Sequence, residues 1–309
     1  MKRILFTLVM LFAIGLTACR KDKNYPDIKE YDQQQIANYI AVNGITGMLK
    51  DTSGHSKGTD TTGTWYKILN VGTGPAVDYP DEISYVYTLR SFDGKFIATD
   101  TVINHFDGLL GHTAPNGLIL AIRNILRYKG GKMRVLIPSH IAYGVNGSGS
   151  GSSTVANARI GGNQCLDYTI ELINDQGKYD DMVIQNYITA NNLTGYVRSA
   201  DSLWYKILKT GTGAHPDINS TVTANYTGQL LNHTFFDNSY VSTTYPFNDL
   251  SLLTSGFREG LEMTSVGSVI SMIVPSRLAY GGGGSASGAV TIPANACIRF
   301  EVTVTAITN

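Results

Sequence analysis

The chain repeats itself, and that limits what it can fold into more than any other feature. Asn38-Tyr39-Ile40 returns as Asn186-Tyr187-Ile188, Trp65-Tyr66-Lys67-Ile68-Leu69 as Trp204-Tyr205-Lys206-Ile207-Leu208, and Ala142-Tyr143-Gly144 as Ala279-Tyr280-Gly281, in the same order. The offset between copies falls from 148 to 139 to 137, and reaches 132 at Cys165 and Cys297. That drift places extra loops in the first copy, at about Asp51–Gly63 and after Tyr143. Units of this size bury their own cores, so 309 residues read as two domains of one fold and not as a solenoid. Lys+Arg and Asp+Glu balance at 24 each, so no global field draws the chain to nucleic acid.

Each copy opens on an amphipathic helix. In the first it is expected from about Tyr31 to Val42, with Ile36, Tyr39 and Ile40 on one face. In the second, Val183, Ile184, Tyr187 and Ile188 follow Asp180-Asp181, whose charges suit a helix N-terminus. The Trp-Tyr-Lys-Ile-Leu strand comes next and ends at a Gly-Thr-Gly turn, with no phosphate-loop lysine after it. Thr221–Tyr226, Val269–Val274 and Ile298–Ile307 alternate as strands, and Gly256–Met263 allows two helical turns between them. One short helix against a curved antiparallel sheet is an α+β arrangement.

Six pieces of the second copy fall in a telling order: Tyr226-Thr227-Gly228, Phe236-Asp237, Gly256-Phe257-Arg258-Glu259-Gly260, Ala279-Tyr280-Gly281, Ile292-Pro293 and Phe300. In this order they resemble the FKBP-type peptidyl-prolyl cis-trans isomerases. The resemblance implies two tandem FKBP-like domains, each a curved antiparallel sheet around one short helix with an added N-terminal helix. It also implies a proline pocket lined by Tyr226, Phe236, Phe247, Leu253, Phe257, Ile292 and Phe300, in which Phe257 replaces the family's usual floor tryptophan. Asp237 would orient the twisted carbonyl, and Tyr280 and the Thr254 N–H would donate to substrate carbonyls. Asp237, Tyr280 and Tyr226 are the expected catalytic residues. The Gly281–Val290 loop is longer than the family's.

In the first copy, Tyr87-Thr88 keeps the strand but Leu89 replaces the glycine. Counting along the repeat puts Ile97-Ala98 at Phe236-Asp237, Ile119-Leu120 at Gly256-Phe257 and Ile160-Gly161 at Ile292-Pro293, while Tyr143 and Tyr168 match Tyr280 and Phe300. The acid is missing, and only a slipped register would bring in Asp93 or Asp100. This copy is expected to be a degenerate domain with no turnover.

The first residues resemble a bacterial lipoprotein signal: Lys2 and Arg3, an apolar run from Ile4 to Leu16, then Leu16-Thr17-Ala18-Cys19. The run is too short for a permanent bilayer span. By that resemblance Cys19 becomes the lipidated first residue of the mature chain. Cys165 and Cys297 head equivalent strands in separate copies and read as buried free thiols. The six histidines form no ligand pair, so no metal and no cofactor are expected. The expected divisions are 1–18 signal, 19–29 tether, 30–175 degenerate domain and 176–309 active domain. The expected function is a prolyl isomerase assisting protein folding in the bacterial cell envelope, lipid-anchored to the membrane, with proline-containing or unfolded polypeptides as partners. A non-catalytic chaperone using the same apolar cup is the alternative.

Overall fold

The computed structural model describes residues 27–53, 62–100, 105–152, 154–238, 245–286, 288 and 290–308. The signal-like segment, Cys19 and the tether up to residue 26 lie outside the described residues, as do parts of the Asp51–Gly63 and Gly281–Val290 loops.

The first half runs α1 (Ile28–Val42), β1 (Leu49–Lys50), β2 (Trp65–Asn70), β3 (Glu82–Ser91), β4 (Ile97–Asp100), β5 (Phe106–Leu109), α2 (Asn116–Ala121), β6 (Lys132–Ile137) and β7 (Leu166–Leu172). The second runs α3 (Gln176–Ala190), β8 (Val197–Arg198), β9 (Trp204–Lys209), β10 (Thr221–Leu230), β11 (Phe235–Asn238), β12 (Tyr245–Phe247), α4 (Ser255–Glu262), β13 (Val269–Val274) and β14 (Ile298–Thr308). Two seven-stranded antiparallel sheets result, ordered β1-β2-β6-β7-β3-β4 with β5 beside β3, and β8-β9-β13-β14-β10-β11 with β12 beside β10. The pairing order is the same in both, so the sequence repeat is a repeat of topology.

Strand alternation decides what each sheet buries. On β10, Val222, Ala224 and Tyr226 face inward, and on β14 Ile298, Phe300, Val302 and Val304 do the same. They meet α4 through Phe257 and Leu261 in one apolar cluster, each large side chain contributing about 1.5–3 kcal/mol by leaving water. Close approach of α4 to β13 needs glycine: a Cβ on Gly260 would sit 1.8 Å from Met272 Sδ. In the first half Ala121 and Val135 replace that pair, a larger helix residue against a smaller strand residue.

The helices α1 and α3 cover the opposite faces. Ile36 packs with Leu136 and Cys165, and Val183, Ile184 and Tyr187 pack with Ile273 and Cys297. Both cysteines are free and buried. The helix starts differ from expectation. α1 begins at Ile28, inside the expected tether, and α3 begins at Gln176, where Asp175 caps the Lys178 N–H. Asp180 is therefore a buried residue of the second turn and not a charge at the N-terminus. Its carboxylate accepts from the Ser276 N–H at 2.9 Å, Ser276 Oγ at 2.7 Å and Gln176 Nε2 at 2.8 Å. Asp32 repeats the device, accepting from Ser139 Oγ at 2.7 Å and the His140 N–H at 3.1 Å. Each half thus bolts its opening helix to the turn that precedes Ala-Tyr-Gly.

Candidate active site

The second half holds an aromatic cup on the inner face of β10 and β14. Tyr226 and Phe300 come from the sheet, Phe247 from β12, Phe257 from α4 and Ile292 from the loop before β14. Ring centroids lie 4.6 Å apart for Phe257–Phe300, 5.3 Å for Phe247–Phe257 and 5.5 Å for Tyr226–Phe247, all inclined rather than stacked. Such pairs add about 0.5–1.5 kcal/mol beyond burial. The same rings are 5–8% exposed, whereas Val222, Leu250, Met272 and Ile298 beneath them are sealed at 0%. The rings lie on a solvent-touched side of this core, with Ile292 at 5% in the same cluster.

Gly228 makes room for the wall. A Cβ there would come within 2.7 Å of the Phe236 ring and 2.9 Å of the Phe300 ring, which meet edge to face at 87°. Phe236 reaches the hollow because β11 carries a bulge: Gly228 pairs with Asp237 and Gln229 with Phe235, so Phe236 is the extra residue. Phe235 turns outward and is exposed.

At the rim, Tyr226 Oη donates to Asp237 Oδ2 at 2.7 Å, and the Asn238 N–H donates to Asp237 Oδ1 at 2.8 Å. Burial, with the neighbouring Asp237, holds the Tyr226 hydroxyl above its usual range. Tyr280 is 38% exposed, and partial burial followed by the Asp237 charge raises its pKa as well. Both phenols therefore stay protonated donors at neutral pH. Among the described residues nothing accepts from Tyr280 Oη or from the Thr254 N–H, which stands at the N-terminal boundary of α4. Leu253 packs half-buried against the cup. Tyr226, Phe236, Phe247, Leu253, Phe257, Ile292 and Phe300 thus share one apolar cluster, with Asp237 bonded to Tyr226 at its edge and near enough to Tyr280 for its charge to be felt there.

Two placements in the first half correct the sequence count. Gly117-Leu118, not Ile119-Leu120, stands where Gly256-Phe257 does: a Cβ on Gly117 would strike Ile137, as one on Gly256 would strike Val274. The two-residue discrepancy falls in the π-helical stretch Ile122–Leu126 that extends α2. On β4 the acid is missing as expected, since Leu89 pairs with Ala98, but this strand has no bulge. Ile97 is consequently exposed, and Phe96 takes the inward place that Phe236 holds in the other half. Asp93 is occupied in its own turn by Ser91 and Lys95, and Asp100 pairs opposite Tyr87 without lining the hollow.

Residues 213–305 match the family model described as FKBP-type peptidyl-prolyl cis-trans isomerase. This segment is an FKBP-type domain. FKBP-type peptidyl-prolyl cis-trans isomerase FkpA of Aeromonas hydrophila is 39% identical over 127 residues, which is 40% of this chain and 45% of that relative. Peptidyl-prolyl cis-trans isomerase Mip of Coxiella burnetii is 35% identical over 125 residues, 39% of this chain and 52% of its own length. The crystal structure of FkpA from Escherichia coli shares 29% identity over 43% of this chain and 58% of that one, with a TM-score of 0.36. The chain spans about half the length of the curated relatives it matches. The FKBP-type match lies on the half that carries the acid, the bulge and the glycine.

Proposed function

We propose that the chain is a peptidyl-prolyl cis-trans isomerase of the bacterial cell envelope, acting through residues 176–309, with residues 30–175 a non-catalytic copy of the same fold and Cys19 the site of a lipid anchor. Its substrates are proline-containing segments of unfolded polypeptides. Rotation about X-Pro faces a barrier of ~18–20 kcal/mol because resonance couples the carbonyl to the nitrogen. No bond is broken, so the protein's task is to bind the twisted amide better than either planar form. An aromatic hollow takes the prolyl ring and strips water from the amide, which disfavours the charge-separated planar resonance form. Asp237, fixed by Tyr226, faces the rotating carbonyl, while Tyr280 Oη and the Thr254 N–H hold flanking carbonyls.

The observation that carries this reading is the Tyr226–Asp237 hydrogen bond at the mouth of a solvent-touched aromatic cup. The test is turnover of a proline-containing tetrapeptide by the full chain. Asp237→Ala and Tyr280→Phe should each slow it about tenfold, the equivalent of ~1.4 kcal/mol of transition-state stabilisation. Wild-type rates in both variants would remove the catalytic assignment.

A further inference from the structure

The first half keeps a hollow of about 370 Å³ in the place where the second half has its cup. Loss of the acid has not been followed by collapse. Tyr87, Tyr168, Tyr143 and Ile160 line it from the positions that Tyr226, Phe300, Tyr280 and Ile292 hold in the other sheet, and Phe96 supplies the wall of Phe236. The floor is rebuilt. Leu118 is smaller than Phe257, and Gly108, which pairs with Ile83 as Phe247 pairs with Val222, has no side chain. Tyr85 stands at the position of Ala224 and provides the missing ring, 5.8 Å from Tyr87. A large residue for a small one on the strand balances small for large on the helix and β5, so the cavity persists by compensation and not by neglect.

Its chemistry differs from the cup in one respect that matters. Ala98 occupies the place of Asp237, and the Tyr143 hydroxyl is held by Tyr168 and Ser148 instead of standing open. Among the described residues the lining bears no carboxylate, and His112 is its one titratable group besides the tyrosines, with Asp100 behind Tyr85 and Tyr87 and acting on them by charge alone. Such a site suits a neutral, compact apolar ring that can lie against aromatic faces, with phenol hydroxyls within reach of adjacent carbonyls. It has no group placed to favour a twisted carbonyl over a planar one, so binding there is uniform between ground and transition states and produces no rate.

From this we infer that the first half is a second peptide-binding site, which holds a prolyl residue of an unfolded client in the Tyr85–Tyr87–Tyr168 hollow without turning it over. The inference rests on reading the second half's cup as a prolyl site, since the occupant is argued from the shared positions of the two walls. One client chain then meets the protein at two points, and the local concentration of its other prolines at the catalytic cup rises.

The test is an NMR titration of the full chain, carbon-13 labelled at tyrosine rings, with the capped tetrapeptide Ala-Leu-Pro-Phe and with the same peptide carrying alanine in place of proline. Saturable shifts of the Tyr85, Tyr87 and Tyr168 signals are expected beside those of Tyr226, with at least tenfold weaker binding of the alanine peptide at the first hollow. Ala98→Trp, which fills the mouth, should abolish the first set while the Tyr226 shifts survive. Silent Tyr85, Tyr87 and Tyr168 signals at peptide concentrations that saturate Tyr226, or equal response to both peptides, would overturn the inference, and neither result requires the variant to fold. Isomer exchange of the peptide, read in the same samples, separates the two readings. Shifts in both hollows without exchange sink catalysis alone, whereas exchange with a silent first hollow sinks the second site alone.

Discussion

Asn295 Nδ2 donates to Ser84 Oγ at 3.0 Å, joining residues 211 positions apart. Asn295 follows the Ile292-Pro293 lip of the cup, and its own N–H bonds the Gly281 carbonyl beside Tyr280. Ser84 precedes Tyr85 on β3. A single hydrogen bond therefore ties the rim of one hollow to the strand that walls the other.

That tie separates two effects at one position, because Asn295 also sits at φ +53°. Asn295→Gly keeps the left-handed backbone and loses the side-chain bond, a cost of about 1 kcal/mol. Asn295→Ala loses the bond and adds about 1–2 kcal/mol of backbone strain. Urea midpoints of the full chain should fall in the order wild type, glycine variant, alanine variant. Equal midpoints for the two variants would show that the loop relaxes without strain.

Gly228→Ala should close the wall of the cup. The added methyl meets two rings below 3.0 Å, and overpacking of this kind costs typically about 1–3 kcal/mol. The Phe236 ring is the part free to give way, since its strand is at the sheet edge. Peptide turnover is expected to fall more than tenfold while the thermal midpoint drops by only a few degrees. A variant with full turnover would mean that Phe236 is no part of the wall.

Tyr226 and Asp237 should behave as one unit. Tyr226→Phe leaves the carboxylate with the Asn238 N–H but without the phenol, and Asp237→Asn leaves the phenol without its charged acceptor, so either change disturbs the same contact. Each is expected to slow turnover several-fold, and the double variant little further, with a coupling energy of about 0.5–3 kcal/mol in a double-mutant cycle. Strict additivity would make the hydrogen bond incidental.

How far this was legible in the sequence depends on whether a residue acts through its type or through its register. The cup was readable because Tyr226, Gly228, Asp237, Phe257 and Tyr280 are motif residues whose spacing survives in one dimension. The first hollow was not, because its state turns on features that leave no mark in a simple count. A skipped bulge brings Phe96 inward in place of Ile97, and a π-helical insertion shifts Gly117 by two positions against the repeat. The pairing of Asp180 with Ser276 was hidden for a different reason. An acid near a helix start ordinarily satisfies the dipole, and nothing local says that the helix begins a turn earlier. Comparison of Asp32 and Asp180 along the repeat, each with a serine ahead of Ala-Tyr-Gly, is the signal that could have found it.

Those two aspartates should respond to pH with opposite signs. Burial dominates at Asp180 and pushes its pKa above the ordinary 3.8. Its contribution to stability is complete below 3.8 and is lost as pH rises through the folded value. At Asp32 burial also pushes upward, but hydrogen bonds from His140 and Ser139 outweigh it and the pKa ends below 3.8, so its contribution is lost as pH falls through the folded value. Asp180→Asn should therefore raise the urea midpoint near neutrality relative to its value in acid, compared with the wild type, whereas Asp32→Asn should not. An unchanged slope in Asp180→Asn would place the titration elsewhere.

The bulge in β11 has a consequence for how such a chain can diverge after duplication. β4 and β11 lie against equivalent partner strands and differ by one residue in the pairing, yet both leave an aromatic facing inward. A copy can thus give up its carboxylate and its extra residue together while the cavity around them endures. The shape of the cavity and the carboxylate at its edge are therefore separable features, the first held by the paired strands and the second by one residue of register.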